Sequence, residues 1–212
     1  CGAGDFIEGL KHDLMIIGEV YGSRKYPFNY TAQEKLSAYL VSMVFRAVFR
    51  DRFAPFLKAF KSKKPDQAIL EAAVNEALLT FLYIPGNHCS WVAPAGFDPL
   101  SIFGIQLPAL VTEDVMAILA EAKLVLPNLA KLVNAKIVAL SQNESYTLSS
   151  GLTISLLHPY MSRTKTTSIR PQEMLGKADT HLVVGANFHV AEAVELWEFK
   201  MGQRACLQVG TI

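Results

Sequence analysis

The order of helical and strand patterns along the chain predicts an α/β fold in which helices cover central sheets. Two helical segments come first, and short apolar strand segments interleaved with helices follow them. Some of these strand segments are continuously apolar, which is typical of strands buried on both faces. The chain has 212 residues, of which 51% are hydrophobic, so we expect one domain over residues 1–212 with a substantial core.

The two helical segments precede the first strand pattern. From Thr31 onwards, apolar residues recur at helical spacing, which predicts a helix with one core-facing stripe. The members of this stripe are Leu36, Leu40, Met43, Val44, Ala47 and Val48. Proline lacks the N–H that an inner helical position donates, so Pro55 is predicted to interrupt or end the helix. A second helix is predicted over residues 65–77.

The rest of the chain alternates between strand and helix patterns. Strands are predicted at residues 79–84, 136–140, 146–148, 152–157 and 181–184, with a closing hairpin from residues 193–199 and 205–209. Residues 91–111 contain three prolines and are predicted to be irregular. Thr112 is predicted to cap a helix that runs to about Lys123. Another short helix is predicted over residues 170–175.

Composition excludes some classes of protein. Twenty Lys and Arg residues against nineteen Asp and Glu residues leave a net charge of +1, unlike a strongly basic nucleic-acid-binding protein. No apolar run approaches ~18 residues, so no membrane span is expected. Three widely spaced cysteines favour reduced thiols and a cytoplasmic location. The start of the chain has neither Met nor a signal-peptide pattern, which is typical of a fragment or a processed product.

One segment, residues 46–64, is strongly basic. It carries seven Lys and Arg residues against the single acid Asp51. One interpretation is a solvated helix face followed by a loop. The other is a binding surface for a phosphate-bearing polymer such as nucleic acid, or for another partner. The apolar residues between 36 and 60 also suggest oligomerisation.

Polar side chains that can bind metals follow several of the apolar strands. The strand at 79–84 leads into one such loop, the strand at 152–157 into a second, and the strand at 181–184 into a third, while a fourth loop lies near the start of the chain. The residues are Asp5, Asn87, His88, His158, Asn187 and His189. Loops at the ends of neighbouring strands converge on one edge of a sheet. Carboxylate, amide and imidazole groups together suit Mn, Fe, Zn or Mg, although each residue alone is more typical of a turn or a hydrogen-bonded surface group.

The segments GDFIEG, PGNH, LLHP and VVGANFHVAEAVEL, in that order, resemble the calcineurin-like metallophosphoesterase superfamily. The resemblance implies a four-layer α/β/β/α sandwich with one or two divalent metal ions at one sheet edge. It implies hydrolysis of phosphomonoesters or phosphodiesters, including nuclease-like activity. The long stretch between Asp5 and Asn87 then corresponds to a helical insert at about residues 30–77.

The resemblance also assigns roles to the loop residues. Asp5 matches the carboxylate that bridges the two metals, and Asn87 matches an amide ligand. His88 matches the histidine that contacts the phosphate and assists the leaving group. His158 and His189 match metal-binding histidines.

Supporting roles are less strongly indicated. Glu8 lies where the family often has an acid. In the loop after His158, Arg163 and Lys165 are candidate phosphate contacts, with solvated loop charges as the alternative.

Three departures from the family motifs support a second hypothesis. No Asp-x-His motif precedes Asp5, Asn187 replaces the first histidine of the GHxH loop, and Cys89 replaces the acid that usually follows GNH. An amide oxygen binds metal more weakly than an imidazole, and His88 lacks the orienting acid. The alternative function is therefore a non-catalytic structural or partner-binding subunit with a degenerate metal site.

Overall fold

A computed structural model describes residues 2–4, 30–62, 64–90, 93, 96, 98–142, 144–159, 169–187 and 191–209. For residues 2–4, 87 and 88 it describes the backbone only. Over this part of the chain the structure is a mixture of helices and sheets, as the α/β prediction requires.

Six helices occur among the described residues. They are α1 (Tyr30–Ser62), α2 (Gln67–Ala77), α3 (Asn87–Ser90), α4 (Ser101–Glu121), α5 (Leu129–Lys136) and α6 (Ile169–Lys177). The strands are β1 (Gly2–Gly4), β2 (Phe81–Pro85), β3 (Ile137–Ala139), β4 (Ser145–Thr147), β5 (Thr153–Leu157), β6 (Leu182–Gly185), β7 (Glu192–Glu198) and β8 (Gly202–Gln208). The predicted strands and the closing hairpin are confirmed to within three residues at each end.

The chain forms two compact units. The sheet unit comprises Cys1–Ile17, Leu82–Pro99 and Ala139–Ile212, and the helical unit comprises Gly18–Phe81 and Leu100–Val138. Helices α1 and α2, which cover the residues of the predicted insert, both belong to the helical unit. The assignment of the whole chain to one domain with an insert stays a prediction.

Two sheets are present. The smaller has the order β1-β2-β3, with β1 and β2 parallel. The larger is mixed and has the order β4-β5-β6-β8-β7. Strands β5, β6 and β8 run parallel to one another, while β4 and β7 run antiparallel at the two edges. The last strand, β8, therefore lies between two strands that precede it in the chain.

Helix α6 covers one face of the larger sheet. Its buried side chains join those of β5, β6 and β8 in one apolar core. The core consists of Leu157, Met174, Leu175, Ala178, Val183 and Cys206. Consecutive residues of β5 and β6 are buried, so both faces of these strands are covered, which explains why they are rich in apolar residues.

Arg204 of β8 ties the end of α6 to the larger sheet. Its side chain is 7% exposed. Nε donates to the Thr180 carbonyl at 2.8 Å, and Nη2 donates to the carbonyls of Leu175 and Ala178. Nη1 binds the Glu198 carboxylate at 2.7 Å. One buried guanidinium thus satisfies carbonyls that the helix end leaves without an intrahelical donor.

The core of the helical unit lies between α1 and α4. The buried positions of α1 recur every three or four residues. They are Tyr30, Glu34, Ala38, Ser42, Phe45, Phe49 and Phe53. Phe49 and Phe53 stack with ring centroids 5.0 Å apart, and Phe45 meets Phe81 edge-on at 5.9 Å. These positions form a single stripe along the helix.

The predicted core stripe of α1 was wrong in phase. Leu36, Leu40, Met43 and Val44 are 43–55% exposed and lie on the side of α1 away from its buried residues. The buried stripe contains Glu34 and Ser42, and polar residues at core positions hide its period from a hydrophobicity pattern.

The predicted effects of proline were also wrong at two places. Helix α1 continues through Pro55 to Ser62, and α4 begins at Ser101, inside the segment predicted to be irregular. Thr112 is not a cap but an inner residue of α4, and its hydroxyl donates to the Pro108 carbonyl at 2.7 Å. Apolar packing along both helices outweighs the single hydrogen bond that each proline removes.

Helix α4 is long and apolar enough to cross a membrane, which differs from the expectation that no apolar run approaches that length. Among the described residues it is the one helix with the length and composition of a membrane-crossing segment, with a mean hydropathy of 1.6 over 18 residues. Core helices can have the same length and composition, and 39% of this window is buried within the protein. The expectation that the chain does not enter a membrane stays a prediction.

Glu34 is a buried carboxyl beside the first turn of α4. It is 0% exposed, and its Oε2 accepts a hydrogen bond from the Phe103 amide at 2.7 Å. The Tyr30 hydroxyl accepts from the Leu100 amide at 3.1 Å, so two α1 side chains satisfy N–H groups at this helix start. Burial raises the pKa of Glu34 above its ordinary 4.5, and hydrogen bonds to Glu34 from the Tyr30 side chain and the Phe103 backbone oppose this effect.

Replacing Glu34 with glutamine is expected to flatten the pH dependence of stability. Because the folded pKa is raised, the bound proton stabilises the fold below about pH 4.5, and this contribution disappears as pH rises through the folded pKa. The glutamine of Glu34→Gln keeps an oxygen that accepts the hydrogen bond from the Phe103 amide, and its side chain is neutral at every pH. Urea unfolding of both proteins between about pH 4 and pH 8 measures the difference. Equal declines with pH in both proteins would contradict a raised pKa at Glu34.

Candidate functional site

Two predicted site residues follow neighbouring strands of the larger sheet. Strands β5 and β6 are parallel, with Leu157 paired to Gly185 at their carboxyl ends. The Ala186 amide continues this pairing by donating to the Leu157 carbonyl at 3.1 Å. His158 follows β5 directly, and Asn187 lies two residues beyond β6. The structure therefore brings these two residues to the same sheet edge, as the sequence predicts.

The smaller sheet has a similar arrangement of strand ends. Strands β1 and β2 are parallel, with Gly4 paired to Pro85, and the short helix α3 begins at Asn87 immediately afterwards. Strand β1 also lies beside β5 and β6 of the same unit. Several predicted positions fall outside the described residues or have no described side chain. They are Asp5, Glu8, Asn87, His88, Arg163, Lys165 and His189. Their roles stay predictions.

His158 is held in place by the side chain of Gln142. It is 3% exposed. Its backbone N–H donates to Gln142 Oε1 at 3.0 Å, and its carbonyl accepts from Gln142 Nε2 at 3.4 Å. Both polar groups of the His158 backbone are therefore engaged by a single amide. Gln142 is not among the residues predicted for the site, because a glutamine in a polar turn carries no signal of its own.

Asn187 has an unusual backbone and an engaged side chain. Its φ of 92° lies in the left-handed region, which asparagine tolerates better than most residues. Its Nδ2 donates to the Pro159 carbonyl at 2.9 Å. An amide with its nitrogen fixed in this way presents its oxygen elsewhere, and that oxygen is the atom that binds a metal. The donor chemistry of Asn187 is thus compatible with the predicted ligand role.

Gly185, at the end of β6, leaves no room for a side chain. A Cβ built there would overlap the sulfur of Met174. The last residue of β6 therefore packs directly against α6, which fixes the strand end that leads to Asn187.

His181 is excluded from the candidate site by its hydrogen bonds. Its Nδ1 accepts from the Thr153 amide at 3.2 Å and lies 2.8 Å from the Thr153 hydroxyl. It sits at the start of β6, the opposite end from Asn187. A structural histidine at this position agrees with its omission from the predicted metal ligands.

The two cysteines that the structure describes are buried. Cys89, in α3, and Cys206, in β8, are both 0% exposed. Burial, together with the negative charge of Glu192, raises the pKa of Cys206 to about 11. The Cys206 thiol is therefore protonated at neutral pH, which argues against a role as a nucleophile.

A metal site is not complete within the described residues. No group of three or more His, Cys, Asp or Glu side chains able to hold a metal occurs in the part of the chain that the structure describes. Most of the predicted donors belong to undescribed positions, so the metal assignment stays a prediction. Comparison with known proteins gave no match to a family model, a curated protein or a solved structure. The family resemblance therefore depends on the sequence motifs alone.

Proposed function

We propose that this chain is a metal-dependent phosphoesterase of the calcineurin-like type. The observation that carries the proposal is the common edge at which β5 and β6 end, with His158 and Asn187 directly beyond them. The parallel pairing of β1 with β2 supports it, because the chain continues from those strands to Asp5 and Asn87. Four loops from parallel strand ends are the arrangement that the motifs require.

The proposed architecture is a four-layer α/β/β/α sandwich. Helix α6 supplies one outer layer of the larger sheet. On the opposite face of that sheet, Leu156 and Val184 are buried, and β1 of the smaller sheet lies beside their strands. Burial of both sheet faces is what a sandwich of two sheets would produce.

The proposed chemistry assigns one task to each group. Divalent ions, when bound, supply positive charge to the phosphate and to the oxygens that enter and leave. Asp5, Asn87, His158, Asn187 and His189 would hold them. His88 would contact the phosphate and assist the leaving group. Arg163 and Lys165 would bind phosphate oxygens.

Nucleic acid is a candidate substrate or partner through residues 46–64. Two of the basic residues in this segment are partly neutralised: Arg46 pairs with Asp114 at 3.4 Å, and Arg50 with Glu121 at 3.2 Å. Exposed positive charge then remains at Arg52, Lys58, Lys61 and Lys64. Exposed charges of one sign on a helix and the following loop favour a phosphate-bearing polymer.

Hydrolysis by the wild-type protein tests the proposal. Protein loaded with Mn²⁺ is expected to hydrolyse bis(p-nitrophenyl) phosphate and to lose this activity on treatment with EDTA. Elemental analysis of the dialysed protein is expected to find one or two ions per chain. Activity that persists at full rate without divalent metal would contradict a metal-dependent phosphoesterase.

The second candidate function is a non-catalytic subunit with the same fold. Cys89, at the position where the family has an acid, favours it, because that position then supplies no carboxylate to orient His88. This alternative predicts neither Mn²⁺ uptake nor hydrolysis, so the same two measurements separate the two functions.

A further inference from the structure

Two side-chain amides form hydrogen bonds to the backbone that follows β5, one from the β4 side and one from the β6 side. Gln142 binds the N–H and the carbonyl of His158, and Asn187 binds the carbonyl of Pro159. We propose that Gln142 and Asn187 form an amide clamp that sets the position of the His158 imidazole, with Gln142 as a positioning residue. This inference rests on the proposed function of His158 as a metal ligand.

The Gln142 side chain makes the hydrogen bonds that a longer β4 would have made to His158. Strand β4 pairs with β5 in antiparallel register, with Ser145 opposite Ser155. Continuing this register by three residues would put residue 142 opposite residue 158. The backbone has left the sheet by then and forms a turn, in which Glu144 Oε2 accepts from the Ser141 amide at 2.8 Å. The primary amide of Gln142, with one donor and one acceptor, supplies the two hydrogen bonds that a strand would have made.

Asn187 completes the clamp from the β6 side. The Ala186 amide binds the Leu157 carbonyl at 3.1 Å, and Asn187 Nδ2 binds the Pro159 carbonyl at 2.9 Å. The left-handed backbone at Asn187, with φ of 92°, is a conformation that favours Asn or Gly. The chain from Leu157 to Pro159 is therefore fixed by hydrogen bonds on both sides.

A fixed backbone leaves His158 only its side-chain torsions. The residue is 3% exposed, so its neighbours restrict those torsions as well. A metal ligand must be held within about 0.5 Å of its productive position, and outer groups that orient ligands typically change metal affinity ~10- to 100-fold. Gln142 itself is exposed, so removing its amide takes away hydrogen bonds without opening a core cavity.

Three variants test the clamp. Gln142→Ala removes the amide on one side, and Asn187→Gly removes the other amide while suiting the left-handed backbone. Gln203→Ala is the matched control, because Gln203 is an exposed glutamine of the same sheet that contacts only the Glu195 side chain among the hydrogen bonds described. The hydrogen-exchange rate of the His158 amide, measured by NMR without metal, reports directly on the Gln142 hydrogen bond. The affinity for Mn²⁺, measured by calorimetric titration, reports on the position of the imidazole.

The expected results differ between the clamp variants and the control. Gln142→Ala should speed exchange of the His158 amide and weaken Mn²⁺ binding ~10- to 100-fold. Asn187→Gly should weaken Mn²⁺ binding at least as much, because it removes a proposed ligand together with the second amide. Gln203→Ala should change neither measurement, and the melting temperatures should stay close together. Unchanged His158 exchange in Gln142→Ala, or Mn²⁺ binding as tight as wild type in that variant, would overturn the inference. Absence of Mn²⁺ binding in the wild type would instead overturn the proposed function, and with it the role of the clamp toward a metal.

Discussion

Asp5→Asn and His88→Ala are expected to lower hydrolysis of bis(p-nitrophenyl) phosphate by at least ~10²-fold, for different reasons. In the proposed function Asp5 bridges the metals, so an asparagine at position 5 would replace a charged ligand with a neutral amide, and metal content and activity should both be lost. His88 is proposed to act on the phosphate and the leaving group, so His88→Ala should keep its metal while its rate falls ~10²–10⁴-fold. Elemental analysis and steady-state kinetics on the same preparations measure both effects.

A histidine outside the site provides the control for these variants. His181→Asn keeps an acceptor for the Thr153 amide, because the asparagine oxygen takes the place of Nδ1. It should retain both metal and activity. Activity near the wild-type level in either Asp5→Asn or His88→Ala would show that the motif residues do not perform the chemistry assigned to them.

Arg204→Met is expected to lower the free energy of unfolding by about 3–5 kcal/mol, because three carbonyls lose a buried, charged donor at about 1–3 kcal/mol each. The variant leaves the carbonyls of Leu175, Ala178 and Thr180 without their donor, and leaves the Glu198 carboxylate without its cation. Methionine fills a similar volume, so most of the loss comes from the unsatisfied polar groups rather than from a cavity. Urea unfolding followed by circular dichroism gives the value.

An exposed ion pair in the same unit offers a matched comparison for Arg204. Lys200 Nζ lies 3.5 Å from Asp179 Oδ2, and these side chains are 77% and 70% exposed. Exposed pairs of this kind contribute little, so Lys200→Met should change the unfolding free energy by less than about 1 kcal/mol. Equal small losses in both variants would contradict the role of Arg204 as the tie between α6 and the larger sheet.

The sequence was sufficient where a single physical signal dominated. Strands β2, β5 and β6 are short apolar runs, and a run of this length and composition is typical of a buried strand. The closing hairpin followed from two strand patterns joined by a short turn, which leads into Gly202 with its φ of 76°.

The sequence failed where competing effects had to be weighed. Exposed Leu36 and Leu40 gave the stronger periodic signal on α1, although the buried face carries Phe45 and Phe49. The low helix propensity of proline predicted breaks at Pro55 and Pro108, but tertiary packing keeps both residues inside helices. In the candidate site, His158 and Asn187 could be found from their positions at strand ends. The hydrogen bonds of Gln142 depend on three-dimensional register, which no local pattern contains.

The placement of β8 between β6 and β7 has a consequence for how this protein acquires its structure. While the chain emerges from the ribosome, both β6 and β7 are made before β8, the strand with which each of them pairs. The edge that bears Asn187 is therefore complete only once β8, paired with β7 as a hairpin, docks on β6. Such late, long-range closure slows folding and exposes unpaired backbone to other chains in the meantime.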